Sequence, residues 1–138
     1  MKKTLKVKKP KLLTIKYLER KVWTECKRIV RNKHIHTCIS CGEENLEGKN
    51  LQTGHLFREK FLPFQMKKDL RLLRPQCINC NLYRKGNEAW FATNLIRQEG
   101  ADYLLDIAED IEFYKGEELD TPQKRMFLTR LLERYKLM

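Results

Sequence analysis

The chain has 138 residues, which is enough for one domain with short additions and too few for several. With 41% apolar residues it can fill a modest core, and no run approaches the ~20 apolar residues of a membrane span. The formal charge is +11, and residues 1–33 hold all of it, with 13 basic side chains against Glu19 and Glu25. A basic segment ahead of a balanced body is the footprint of a polyanion binder, with a solubilising tail as the plain alternative. The opening MKKTLKVKKPK is charged like the start of a secretory signal, but no apolar block of ~7–15 residues follows. A cytoplasmic protein is therefore expected, in a compartment where disulfides are rare.

Residues 1–12 show no periodicity and are rich in lysine, which predicts a flexible basic arm. From Thr14 the pattern turns helical. Ile15, Leu18, Val22, Cys26, Ile29 and Val30 recur at steps of three and four, with Trp23 on the flank. Lys16, Arg20, Lys21, Lys27, Arg28 and Arg31 cover the other faces. Cys26 falls in the apolar stripe and is expected to be a buried thiol.

Residues 34–86 are short segments broken by Cys, His, Gly, Pro and Asn. Residues 49–56 and, more weakly, 70–75 read as strands. A further helix is expected from Cys80 through Trp90, Phe91 and Leu95 to Gly100, with Trp90 and Phe91 in its core. Ala101, Leu104, Leu105, Ala108 and Ile111 repeat at helical spacing up to Gly116. Thr121-Pro122 reads as a cap followed by proline at the first helical position. Phe127, Leu128, Leu131, Leu132 and Tyr135 give the last helix an apolar face. The expected organisation is the arm over 1–12, a core over 13–98 and a helical extension over 99–138. The extension carries opposite charges, −8 across 87–120 and +4 across 121–138.

Cys38-Ile39-Ser40-Cys41-Gly42 and Cys77-Ile78-Asn79-Cys80-Asn81 are two Cys-x-x-Cys turns separated by 35 residues. Each turn presents two thiolates on a tight backbone knuckle, and together they form a closed four-sulfur site suited to structural Zn²⁺. Gly42 lets the chain turn sharply after the first pair. A redox motif needs only one pair and a βαβ context, which is absent. His34 and His36 are read as surface residues, since four thiolates suffice. A thin core over 34–86 needs such a staple. The site leaves no open coordination position, so any chemistry must lie elsewhere.

His55 stands at the end of the first expected strand, in Leu51-Gln52-Thr53-Gly54-His55-Leu56, between the cysteine pairs. The order strand, His, loop, knuckle, helix resembles the ββα-metal nucleases of the HNH and endonuclease VII groups. It resembles more specifically the phage NinG/Rap recombination-nuclease family. The matching stretches are Cys38–Gly42, Leu51 to Leu56, Leu73-Arg74-Pro75-Gln76-Cys77, Cys80-Asn81 and Gly86-Asn87. The resemblance implies an α+β fold with a zinc-stabilised treble-clef or ββα-metal core, flanked by the basic helix and the C-terminal helices. It implies a phage or prophage protein in a bacterial host that cuts branched DNA, such as Holliday junctions, leaving a 5′ phosphate and a 3′ hydroxyl. Carried over by position, His55 is the general base and Asn81 a ligand of the catalytic metal, Mg²⁺ or Mn²⁺. Two positions depart from the wider pattern. Gly54 stands where many HNH and endonuclease VII proteins carry a metal-binding Asp, and the NinG-like pattern also has Gly here. The candidates for a second ligand are Asn87, then Asp69 and Glu59. Leu72 stands where the central Asn of the HNH pattern orients the base, which implies a slower enzyme or another hold on His55.

The DNA-contacting candidates are Lys16, Arg20 and Lys27 on the basic helix, and Arg58, Lys60, Arg74, Arg84 and Lys85 around the site. Lys67, Lys68 and Arg71 lie in the same segment. Two nicks on a four-way junction are placed most simply by a homodimer, with the acidic helix of one chain against the basic helix of the other and Phe127, Leu131 and Tyr135 buried. The alternative is that both helices fold back on their own chain. Two other functions compete: a non-catalytic zinc module that binds nucleic acid, and an interaction protein that works through the acidic segment and last helix.

Overall fold

The computed structural model describes residues 12–138, so the arm expected over 1–12 lies, apart from Leu12, outside the described residues. The first helix, α1, spans Ile15–Lys33; Thr14 caps it by accepting from the Tyr17 N–H at 3.1 Å. Strands β1, Gln52–His55, and β2, Leu73–Gln76, pair antiparallel as a two-stranded sheet. Helices α2, Glu88–Glu99, α3, Ala101–Lys115, and α4, Thr121–Lys136, complete the chain. The architecture is mixed helix and small sheet, as the pattern predicts.

Three differences from the expected elements have local causes. Both strands are shorter, because 3₁₀ turns occupy Gly48–Asn50 and Leu70–Leu72, the latter capped by the Asp69 side chain on the Arg71 N–H. The helix expected from Cys80 to Gly100 is interrupted. A single π turn covers Asn79–Tyr83, and Lys85, Gly86 and Asn87 then take positive φ of 50°, 87° and 44° before α2 begins. That left-handed run brings the Gly86 carbonyl to Gln76 and Asn87 to the cysteines. The cap of α4 is Asp120 rather than Thr121, in a reciprocal capping box with Gln123.

The sheet separates two cores. Residues in register on an antiparallel pair share a face, and faces alternate along each strand. Leu73, paired with His55, packs with Leu18, Val22, Cys26, Ile29 and Val30 of α1 and with Leu128, Leu131 and Tyr135 of α4. The second core joins Ile39, Leu56, Leu62, Met66 and Leu72 to Phe91 and Leu95 of α2 and Ile107 of α3. Each such side chain contributes about 1.5–3 kcal/mol of burial. The segment 99–138 is thus packed into both cores. Leu131 and Tyr135, the residues expected to face a second copy, are buried against α1 of their own chain. Trp90 does not share the burial of Phe91, because neighbouring helix positions point about 100° apart; it is 52% exposed, beneath the Arg97 guanidinium. Among the described residues no helix is long and apolar enough to cross a membrane.

Candidate functional site

The four cysteines of the two knuckles converge. Their sulfurs all lie within 4.8 Å of one another, and the Cys41 and Cys77 sulfurs are 3.7 Å apart. Four thiolates around Zn²⁺ at ~2.3 Å would be about 3.8 Å apart, so the donor set fits that ion. The knuckle geometry follows from the spacing. The backbone N–H of Cys41 points at the Cys38 sulfur and that of Cys80 at the Cys77 sulfur, at 3.5 and 3.4 Å. Gly42 takes φ 80°, the left-handed turn expected of it. Burial pushes the Cys41 and Cys77 thiols up, so thiolates this close need a cation to share their charge. The Ile39 N–H donates to the Pro75 carbonyl at 3.0 Å, which docks the first knuckle on β2.

Asn87, expected first as a second ligand of the catalytic metal, is placed at this centre. Its amide nitrogen points at the Cys80 sulfur at 3.5 Å, where it helps hold thiolate charge. His34 is half-buried and His36 exposed, and neither belongs to the cysteine cluster.

His55 lies at the end of β1 on the face that meets α1, because it pairs with Leu73. Its side chain is 17% exposed. The imidazole stacks on Trp23, with centroids 5.1 Å apart and planes 13° from parallel. Nε2 lies 3.0 Å from the Lys67 carbonyl oxygen and 3.3 Å from Glu59 Oε1. Both partners are acceptors, so Nε2 carries the proton, and in the neutral ring Nδ1 keeps the lone pair. The hold that Leu72 cannot supply is thus made by a backbone carbonyl, a carboxylate and an indole. The carbonyl is itself pinned, since the next one, of Lys68, accepts from the Tyr135 hydroxyl at 2.8 Å and from the Cys26 thiol at 3.8 Å. Cys26 is fully buried as expected, and burial pushes its thiol up to about 12, which makes it inert.

Glu59 and Asp69 are both engaged. Glu59 pairs with Lys68 as well as His55. Burial alone would raise its carboxyl, but the hydrogen bonds to His55 and Lys68 and the Lys68 charge outweigh it and bring the group down to about 2. Asp69 caps the turn before β2 and pairs with Arg71 at 2.7 Å. Asn81 donates to Gln52 Oε1 at 2.7 Å. Gln52 is three residues before His55, about 10 Å along an extended strand. The structure therefore sets Asn81 and His55 at opposite ends of β1. Apart from the cysteines, no group of three His, Cys, Asp or Glu side chains converges among the described residues. These residues do not form a protein cage for Mg²⁺ or Mn²⁺; Asn81 offers one amide oxygen.

Gly54 has its own reason. A Cβ there would lie 1.8 Å from Gln76 Oε1. Gln76 is fully buried; its Nε2 donates to Ser40 Oγ at 2.8 Å and to the Gly86 carbonyl at 2.7 Å, which fixes its oxygen over Gly54. An Asp cannot enter this position, so the departure at Gly54 is a packing requirement of Gln76.

The cationic candidates divide by burial. Lys16, Arg20, Lys27, Arg58, Lys60, Arg84 and Lys85 are exposed. Arg74 is 3% exposed and is not available to DNA. It lies on the sheet face opposite His55 and bonds the Leu73 carbonyl at 2.8 Å and Glu99 and Tyr103 at 3.2 Å. Lys68 is committed to Glu59, and Arg71 to Asp69 and Asp110. On α1, Lys16, Arg20 and Lys27 fall within about 40° of one another around the axis, and Trp23 falls about 20° to one side of that stripe. The basic stripe therefore runs past the residue that stacks on His55.

Trp23, the Lys67 carbonyl and Gln76 are parts of the site that sequence reasoning missed. Trp23 had one signal, its place at the edge of the basic stripe; Gln76 had its place in the stretch Leu73 to Cys77, and the Lys67 carbonyl had none. A family model described as bacteriophage lambda NinG protein matches residues 1–126. No curated protein and no solved structure matches the chain.

Proposed function

From the premise that the chain belongs to the family of the bacteriophage lambda NinG protein, we propose that it is a structure-specific DNA endonuclease acting on branched recombination intermediates such as Holliday junctions. The observation that carries this reading is the hold on His55. Nε2 is bound to the Lys67 carbonyl at 3.0 Å, which leaves Nδ1 as the basic atom of a stacked, oriented ring. A general base needs that free lone pair and that fixed direction. Nδ1 takes a proton from the attacking water, and the charge that forms on the ring is met at Nε2 by the Glu59 carboxylate. Lys16, Arg20 and Lys27 supply phosphate contacts along α1. The ββα-metal arrangement is supported by the order of knuckle, two-stranded sheet, knuckle and helix. A requirement for Mg²⁺ or Mn²⁺ belongs to the same proposal, with Asn81 offering its amide oxygen.

A second reading, a non-catalytic zinc module that binds nucleic acid, is favoured by the lack, among the described residues, of a converging set of His, Asp or Glu ligands outside the cysteines. Incubation with a labelled four-way junction, with and without Mg²⁺ or Mn²⁺, separates the two. Nicking that needs the added metal and falls by about 10²–10⁴ in His55→Ala, with binding retained, supports the nuclease. A gel shift with no nicking under any metal selects the module.

A further inference from the structure

The loop that leaves His55 builds one wall of a cavity of about 590 Å³, a size suited to a small ligand. Phe57 and Phe61 come from that loop, Ile111 from α3, and the rim carries Arg58, Lys85 and Lys115 against a single carboxylate, Glu88. Phe61 is 68% exposed, an unusual position for a phenyl ring with no apolar cover, and the Lys60 ammonium lies 4.9 Å over its face. Arg58 and Lys85 form no ion pair among the described residues, whereas Lys115 pairs with Glu112 at 2.8 Å.

We propose that this cavity receives one unpaired nucleotide of a branched DNA, the base stacked on Phe61 and its phosphate held by Arg58 and Lys85. The proposal rests on the DNA-cutting reading above and adds how a branch is told from plain duplex. The chemistry is complementary on both counts. A nucleobase is a flat apolar face joined to an anion, and the cavity is an aromatic wall with a cationic rim. A base inside a duplex has both faces covered, so only a branch point, flap or gap can offer one to a side pocket. The cavity wall starts two residues after His55, so a nucleotide seated there registers the branch against the candidate base.

Binding without cutting is the test. The full-length chain, with zinc and no added Mg²⁺ or Mn²⁺, is titrated by fluorescence anisotropy at one salt concentration. The two DNAs are a fully paired duplex and the same duplex interrupted by a branch with two unpaired nucleotides. The parent is expected to prefer the branched DNA. Phe61→Ala is expected to lose about tenfold in affinity for the branched DNA and none for the duplex, while Phe61→Trp keeps the preference. Arg58→Gln is expected to weaken binding of the branched DNA more than of the duplex, and an equal loss on both would remove Arg58 from the pocket phosphate. Equal parent affinity for the two DNAs overturns the proposal, as does an unchanged preference in Phe61→Ala or an equal loss on both DNAs. Failure of the nuclease reading appears elsewhere, as a junction bound with the Phe61-dependent preference and never nicked.

Discussion

The indole of Trp23 lies flat against the imidazole of His55, with centroids 5.1 Å apart and planes 13° from parallel. The contact joins the basic helix to the end of β1, so the element that carries charge also sets the ring that is the candidate base. Trp23→Ala leaves one face of the imidazole uncovered and free to tilt. On the endonuclease reading proposed above, cleavage of a junction is expected to fall by about 10²-fold, with DNA affinity unchanged, and Trp23→Phe is expected to recover most of the rate. Single-turnover cleavage alongside a binding titration checks both. Equal loss of binding and cleavage would make Trp23 a structural residue only.

Glu59 gives a pH signature. Its folded value, about 2, lies below its ordinary 4.5. Its partnership with His55 and Lys68 therefore stabilises the fold in full above about pH 4.5, and that part is lost as the pH falls toward 2. The stability difference between the parent and Glu59→Gln is expected to be constant from pH 7 to 5 and to shrink below 4.5. Urea titrations at steps of pH read it, and a difference that does not change with pH would remove Glu59 from the network.

Metal removal should unfold the centre of the molecule. One Zn²⁺ per chain is expected by elemental analysis, and chelation is expected to abolish the cooperative thermal transition, because binding and folding are one process in such sites. Cys38→Ser and Cys80→Ser should behave alike. A folded protein that contains no zinc would refute the assignment.

Gly54 and Gln76 should be coupled. Gly54→Ala drives a methyl into Gln76 Oε1 and is expected to cost about 1–3 kcal/mol. In a Gln76→Ala background the added cost of Gly54→Ala should be near zero. A double-mutant cycle by urea denaturation measures this, and additive losses would show that the two side chains do not compete for that space.

Buried and exposed arginines should separate stability from binding. Arg74→Ala breaks bonds to Leu73, Glu99 and Tyr103 and is expected to destabilise the fold by about 2 kcal/mol or more. The triple change of Lys16, Arg20 and Lys27 to Ala should leave stability nearly unchanged. If all three touch phosphate, the slope of log affinity against log salt should fall by about 2.7. An unchanged slope would take the α1 stripe out of the DNA interface.

The sequence alone determined the parts of this protein that depend on local spacing. Each Cys-x-x-Cys turn places its own two sulfurs by local backbone geometry, and the Gly42 turn follows. The periodicity from Ile15 to Lys33 specifies a helix with one apolar and one cationic face whatever it packs against. Tertiary structure decided what each charged or polar side chain does. Arg74 and Arg84 are alike on paper, yet one is enclosed between β2, α2 and α3 while the other stays in solvent. Glu59, Asp69 and Asn87 are alike in sequence as candidate metal ligands, and the fold gives each another partner: Lys68 with His55, Arg71, and the Cys80 sulfur. The helix expected through residues 84–87 breaks because Gln76 and Cys80 claim groups from that turn. His55 is the clearest case. Its position in the chain is evident from its motif, but the Trp23 ring lies 32 residues before it, and the Lys67 carbonyl 12 residues after it. Contacts between residues so far apart are set by how α1, the sheet and α4 pack, and a hydrogen bond to a backbone carbonyl leaves no mark on the identity of the residue that supplies it.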